Sequence, residues 1–212
     1  MKDIKVIVAT HKEYQMPKDK LYLPLLVGAK GKKDKKYQRD DTGKNISSKN
    51  PYFCELTGLY WAYKNLDNEY IGLSHYRRHF ASKRINKKDL FNSVLTLKEA
   101  NELLKDVDII LPKKRKYYIE TLYSHYKHTM YIEPLDITRE IIQEGHPEYL
   151  KEFDKLKKRT SAHMFNMFIM KKEILNDYCN WLFDILFELE KRVDSSKYDS
   201  FHARFYGRVS EL

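Results

Sequence analysis

The chain has 212 residues, 42% of them hydrophobic, with 17 Tyr and 10 Phe, which excludes a disordered segment and leaves room for one generous domain. Forty Lys and Arg against 30 Asp and Glu give a net charge of +10, so an anionic partner is expected: nucleic acid, a phosphate-bearing metabolite or an anionic membrane face. Two cysteines, Cys54 and Cys179, exclude a disulfide framework or zinc spacing, and no apolar run approaches the ~18 residues of a spanning helix. With only Met1-Lys2-Asp3-Ile4 ahead of the first strand, no signal peptide is read either, and the expected compartment is the reducing cytoplasm with peripheral membrane contact.

Ile4 to Ala9 predicts a buried strand that exits into Thr10, His11 and Lys12. Tyr22, Pro24 and Gly28 read as loop, with Leu25 to Val27 a short strand among them. Lys30 to Lys36, with five lysines, reads as a solvated loop. Arg39 to Asn50 is polar or glycine at every position but Ile46, a loop by composition, and delivers the chain to Asn50 as N-cap and Pro51 at the first helical position. That helix is expected to run to about Asn65 on a stripe of Phe53, Leu56, Tyr60 and Tyr63, with Trp61 in the core and Glu55 placed to face the polar loop.

Tyr70 to Leu73 predicts a second buried strand, emptying without a gap into Ser74, His75, Tyr76, Arg77, Arg78 and His79. In open α/β sheets ligands bind beyond the carboxyl ends of strands, and paired arginines suit phosphate oxygens. Lys83 to Asn92 is a surface excursion; Thr96 and Glu99 form a capping box for a short helix. Val107 to Leu111 reads as a strand, Thr121 to Met130 as a helix, and Asp136 as the cap of a helix over Ile137 to Gln143 with Gly145 beyond its end. Pro147 opens a helix to about Lys158, Phe165 to Met170 reads as a strand, and Lys172 to Val193 as the last long helix. The final stretch, Phe205 to Leu212, stops as though cut inside an element, so a longer natural chain is expected.

Strands alternating with helices predict an α/β fold with its site at strand ends. The sequence holds no Gly-x-x-x-x-Gly-Lys, Gly-x-Gly-x-x-Gly or Gly-x-Ser-x-Gly, which argues against phosphate-loop, dinucleotide-binding and hydrolase-elbow enzymes. Its one Asp-x-Asp pair, Asp106 and Asp108, precedes a strand instead of following it and reads as structural. At the exit where metal-holding acids would stand, His75 to Arg78 stand instead, and guanidinium groups there would neutralise a diphosphate without a metal.

Several segments together carry a resemblance. These are Thr10-His11-Lys12, Asp41-x-x-x-Asn45-Ile46-Ser47, Lys49-Asn50, Cys54-Glu55-Leu56-Thr57, Tyr60-Trp61, Ile71-Gly72-Leu73-x-His75-Tyr76-Arg77-Arg78, Ile109 to Pro112 and Asn166 to Met170. In this order, over nearly the whole chain, they resemble the DUF4422 family of bacterial capsular and exopolysaccharide glycosyltransferases. The resemblance implies a single domain over residues 1–212 with a GT-A-like, Rossmann-like open mixed sheet flanked by helices. It also implies inverting transfer of a hexose, galactofuranose being the candidate, from a UDP-sugar to a lipid-linked surface glycan at the inner face of the membrane. Lys44 stands where the family usually has an acid, and no role is assigned to it.

Such a reaction needs a donor site, and the candidates are Thr10, His11, Asp41, Asn45, Ser47, Lys49, Asn50, Glu55, His75, Tyr76, Arg77 and Arg78. It needs a proton acceptor, for which Asp136, His125 and His163 contend and no spacing separates them. It needs an acceptor site, with Tyr126 and Asn166 the candidates. No cofactor beyond the UDP-sugar is expected, although a weak magnesium or manganese dependence stays open, as do oligomeric state and linkage. Two other readings compete. One is a basic nucleic-acid-binding protein, disfavoured because the charges are scattered and no nucleic-acid module is present; the other is a metal-dependent hydrolase built on His75, His79, His125 and His163.

Overall fold

The computed structural model describes residues 1–34 and 36–212, so of the predicted lysine loop Lys35 lies outside the described residues. Two compact units emerge, one made of residues 1–112 and 166–177, the other of residues 113–165 and 178–212.

The first unit is built on a six-stranded mixed sheet in the order β3-β2-β1-β4-β8-β5. Its strands are β1 (Ile4–Thr10), β2 (Tyr22–Leu26), β3 (Gln38–Arg39), β4 (Tyr70–His75), β5 (Ile109–Ile110) and β8 (Phe168–Lys171). β1 pairs in parallel with β2 and with β4, and β2 with β3, whereas β8 runs antiparallel to both β4 and β5. β1 and β4 are buried along almost their whole length, as expected for central strands covered on both faces. Because only β8 is reversed, one edge of the sheet collects the exits of the other strands together with the entry to β8. The α/β class and the open mixed sheet are therefore as the sequence predicts.

Helices α1 (Asn50–Phe53), α2 (Leu56–Asn65) and α3 (Leu97–Leu103) complete this unit. Gly58 lets α2 lie close on the sheet, since a Cβ there would stand 2.9 Å from Val27 and 3.1 Å from Leu25. The predicted helix from Pro51 to Asn65 is not continuous. It breaks at Cys54 (φ 51, ψ −129), so Asn50 is the first residue of a short helix and not the N-cap of a long one. The cause is local: Asn50 Nδ2 donates to the Cys54 carbonyl at 2.7 Å and to Thr57 Oγ1 at 3.1 Å, capturing the carbonyl that a continuing helix would use. The capping box of Thr96 and Glu99 forms as predicted.

Other boundaries move. The strand placed at Leu25 to Val27 is Tyr22–Leu26, so its start at Tyr22 was hidden in what read as loop. Val107 to Leu111 contracts to Ile109–Ile110, and Phe165 to Met170 becomes Phe168–Lys171, because Phe165 and Asn166 take positive φ (79 and 51) and cannot extend a strand.

The second unit contains the two-stranded pair β6 (Arg115–Lys116) and β7 (Ser161–Ala162), with helices α4 (Leu122–Thr129), α5 (Glu133–Gly145), α6 (Pro147–Lys157) and α8 (Phe205–Val209). Helix α7 (Lys172–Arg192) contributes its residues from Tyr178 onward. Asp136 is not a cap: α5 starts three residues earlier at Glu133, with Pro134 in its first turn, and Gly145 is its last residue. Leu122, Ala162 and Met164 form a small core with Tyr117, Leu156, Phe165 and Leu212 packed on it.

Candidate active site

At the sheet edge where β1 and β4 end, the chain turns sharply twice. Thr10 is buried, and its hydroxyl donates to the Lys12 carbonyl at 2.6 Å, folding the exit of β1 back on itself. β4 ends in a tight turn in which His75 and Arg78 exchange backbone hydrogen bonds of 3.1 and 2.9 Å, while Tyr76 N–H donates to the Ala9 carbonyl at 3.2 Å. The turn lifts Tyr76 beside the first exit. His11 and Tyr14 meet its ring edge to face at 5.3 and 5.0 Å, Lys12 Nζ lies 5.9 Å from its centroid, and the Arg77 guanidinium 5.1 Å. Arg77 and Arg78 are exposed, and Arg77 has no carboxylate partner among the described residues. An aromatic face ringed by three cationic side chains or imidazole suits a planar base joined to phosphate. Tyr14 and Lys12, not singled out from the sequence, also gather on Tyr76; they stand four and two residues past the buried Thr10.

The Asp41 to Asn50 loop is organised differently from the expectation. Asp40, not Asp41, is its centre: fully buried, Asp40 accepts from Gly28 N–H and Ala29 N–H at 2.9 Å each, from Thr57 Oγ1 at 2.7 Å and from Ser47 Oγ at 2.5 Å. Asp41 is held by Arg39 through two hydrogen bonds of 3.0 and 2.7 Å, and that guanidinium holds its carboxyl below the usual range. Asn45 accepts from Ser47 N–H at 3.2 Å and donates to the Gly43 carbonyl at 3.0 Å; Asn50 is tied to Cys54 and Thr57. The side chains of Asp41, Asn45, Ser47 and Asn50 thus hold the loop's shape. Lys49, half-buried, has its Nζ 5.9 Å from the Phe53 ring. Trp61 is core as predicted, donating to Thr42 Oγ1 at 3.0 Å.

Two residues from distant parts of the sequence meet at the same edge. Asn166 Nδ2 donates to Glu55 Oε1 at 2.8 Å. Asn166 is 7% exposed and Glu55 half-buried. Both sit at irregular backbone, Glu55 directly after Cys54 and Asn166 itself at φ 51, conformations that cost an L residue about 1–3 kcal/mol each. Cys54 is half-exposed at the break between α1 and α2, whereas Cys179 is buried.

The second unit holds the other candidates. Tyr126 is buried in a cleft that Arg115, Tyr117, His125, Phe165 and Arg208 also line; its hydroxyl has no hydrogen-bond partner among the described residues, and burial pushes its pKa up. Tyr117 stacks on His125 with centroids 4.1 Å apart, and Arg115 lies 5.2 Å from the Tyr117 ring and 5.8 Å from the Phe165 ring. Glu120 bridges His125 and His128 at 2.9 and 2.5 Å, and these two imidazoles hold its carboxyl below the usual value. Asp136 accepts from the Tyr123 hydroxyl at 3.2 Å and lies 4.0 Å from Lys157 Nζ. His163 is exposed between β7 and β8. Among the described residues no three His, Cys, Asp or Glu side chains come together as a metal-binding set. Asp106 and Asp108 are exposed ahead of β5, and Asp108 accepts from the Tyr70 hydroxyl at 3.2 Å.

Comparison with known proteins adds three findings. No curated protein matches the chain. Among solved structures, it is similar to the apo form of WbbM, described as a bifunctional glycosyltransferase, with a TM-score of 0.89 and 29% identity over 99% of this chain and 41% of that one. The chain therefore spans about two fifths of that protein's length. The profile of the family described as a domain of unknown function, DUF4422, matches residues 5–212. The chain belongs to the DUF4422 family.

Proposed function

We propose that the chain is a glycosyltransferase that moves a hexose, galactofuranose being the candidate, from a UDP-sugar to a growing capsular, exopolysaccharide or other surface glycan on a lipid carrier, with inversion and without a metal. The likeness to a glycosyltransferase over 99% of the chain supports the reaction class. The observation that carries the donor assignment is the exit of β1 and β4, where Lys12 and Arg77 lie against the Tyr76 ring and the exposed Arg78 follows in the same turn. A pyrimidine base would stack there while the guanidinium groups neutralise the diphosphate, in its bound form and as leaving group. Thr10, His11 and His75 shape the two exits, and Asp41, Asn45, Ser47, Lys49 and Asn50 hold the adjoining loop. On the second unit, Tyr126 is assigned to acceptor recognition, with Arg115 and Tyr117 beside it; His125, Asp136 and His163, the proton acceptors considered from the sequence, also lie on that unit. Among the described residues no helix is long and apolar enough to cross a membrane, and we assign the +10 surface to peripheral attraction by an anionic leaflet.

The test is calorimetric titration of UDP into wild type and Arg77→Ala, with and without magnesium or manganese. Metal-free binding that weakens about tenfold in Arg77→Ala, the scale of one charged hydrogen bond, supports the cationic clamp. Binding only with metal keeps the transferase and discards the clamp. No UDP binding in either condition sinks the donor assignment, and salt-sensitive binding of DNA or RNA would then put the nucleic-acid reading in its place.

A further inference from the structure

We infer that Glu55 is the general base of the transfer, the carboxylate that takes the proton of the acceptor hydroxyl; this rests on the transferase reading above. The first ground is position. β8 starts at Phe168, opposite Leu73 of β4, and Asn166 lies two residues ahead of it, so Asn166 stands at the end of the sheet where β4 leaves into the His-Tyr-Arg-Arg turn. Glu55, hydrogen-bonded to Asn166 at 2.8 Å, therefore stands at the strand exit assigned to the diphosphate.

The second ground is availability. Asp40 is buried under four donors, Asp41 is clamped by Arg39, and Glu13 is ion-paired with Lys36. Glu55 has none of these constraints. One of its oxygens is oriented by a neutral amide, the other takes no hydrogen bond among the described residues, and no cation pairs with it. A neutral donor on one oxygen fixes the carboxylate's direction and leaves its second oxygen to receive a proton.

The third ground is strain. A helix continuing through Cys54 would carry Glu55 along a regular turn; the break at φ 51 redirects it, and Asn166 holds a positive φ at the other end of the same hydrogen bond. Two unfavourable backbone conformations flanking one polar contact are what an imposed geometry looks like.

The step balances. The acceptor oxygen's electron pair forms the new bond to the anomeric carbon as its proton passes to Glu55. The bond from that carbon to the diphosphate oxygen breaks with its electrons on the oxygen, which Arg77 and Arg78 neutralise. Glu55 then returns the proton to water.

The test uses the whole chain and measures UDP release from UDP-galactofuranose, UDP-galactose and UDP-glucose, with octyl galactoside or water as acceptor, beside UDP affinity by calorimetry. Glu55→Gln, which keeps an oxygen for Asn166, is expected to lower kcat ~100- to 10,000-fold with the Kd for UDP unchanged. Glu55→Asp, which retracts the carboxylate, is expected to lose less, and added formate to restore part of the rate of Glu55→Ala. A Glu55→Gln variant within about threefold of wild-type kcat overturns the inference, as does a loss of UDP affinity in step with kcat, which a donor-binding or structural role would produce. Wild type that neither binds nor releases UDP overturns the transferase reading and the base with it; wild-type turnover that Glu55→Gln shares overturns the base alone.

Discussion

Replacing Asp40 by Asn probes the node on which the strand-exit loop depends. Each carboxylate oxygen serves one backbone N–H and one hydroxyl: Oδ1 takes Ala29 N–H and Ser47, Oδ2 takes Gly28 N–H and Thr57. An amide turns one oxygen into a donor. The serine or threonine hydroxyl on that side can rotate and accept, but the backbone N–H cannot, so one buried donor is stranded at about 1–3 kcal/mol. The bonds that remain lose their charge assistance, roughly half their strength. Because these contributions are not additive, the net loss is about 3 kcal/mol, a fall of roughly 6–12 °C in Tm for a chain of this size. Urea and thermal denaturation read it directly. Asp41→Asn is the control: Arg39 keeps its bonds to the Ala29 and Asp34 carbonyls, so about 1 kcal/mol is expected. If Asp40→Asn stays within about 0.5 kcal/mol of wild type, or costs less than Asp41→Asn, the node is misidentified.

Asp41 also sets a pH dependence. Arg39 lowers its folded pKa, so its contribution is complete above the unfolded value of about 3.9 and is lost as pH falls through the folded one; the gap between wild type and Asp41→Asn is therefore expected to close at the acid end of a stability profile. Gly72→Ala is expected to cost roughly 2–3 kcal/mol in urea unfolding, because a Cβ there would stand 2.7 Å from the Phe168 carbonyl oxygen, and backbone in a paired strand cannot retreat. Gly58→Ala, which meets only side-chain ends, is expected to cost less. Tyr126→Phe removes a buried hydroxyl without a partner and is expected to raise stability by about 0.5–1 kcal/mol while weakening acceptor saturation (higher acceptor KM); lower stability would show that the hydroxyl is satisfied in solution.

The sequence by itself determined the class of fold and marked the two strand exits at which the donor site is proposed. β1 and β4 are short apolar runs that end abruptly in polar residues, and both the buried strand and its exit are written in consecutive positions. The capping box at Thr96 and the long amphipathic α7 are local in the same sense: their hydrogen bonds and apolar periods span only a few residues. What sequence could not fix depends on partners far along the chain. Asp40 and Asp41 are adjacent and chemically identical; only packing against Gly28, Ala29 and Thr57 buries the first, while Arg39 claims the second. The break at Cys54 follows from a side-chain competitor for a helical carbonyl, which apolar periodicity cannot register. Glu55 and Asn166 are 111 residues apart, and their contact exists because the reversed β8 enters the sheet at the edge where β1 and β4 leave it. Short-range pattern encodes the strands, but the choice of which acid is buried, clamped or left with an open oxygen is made by hydrogen bonds that only the folded chain can close.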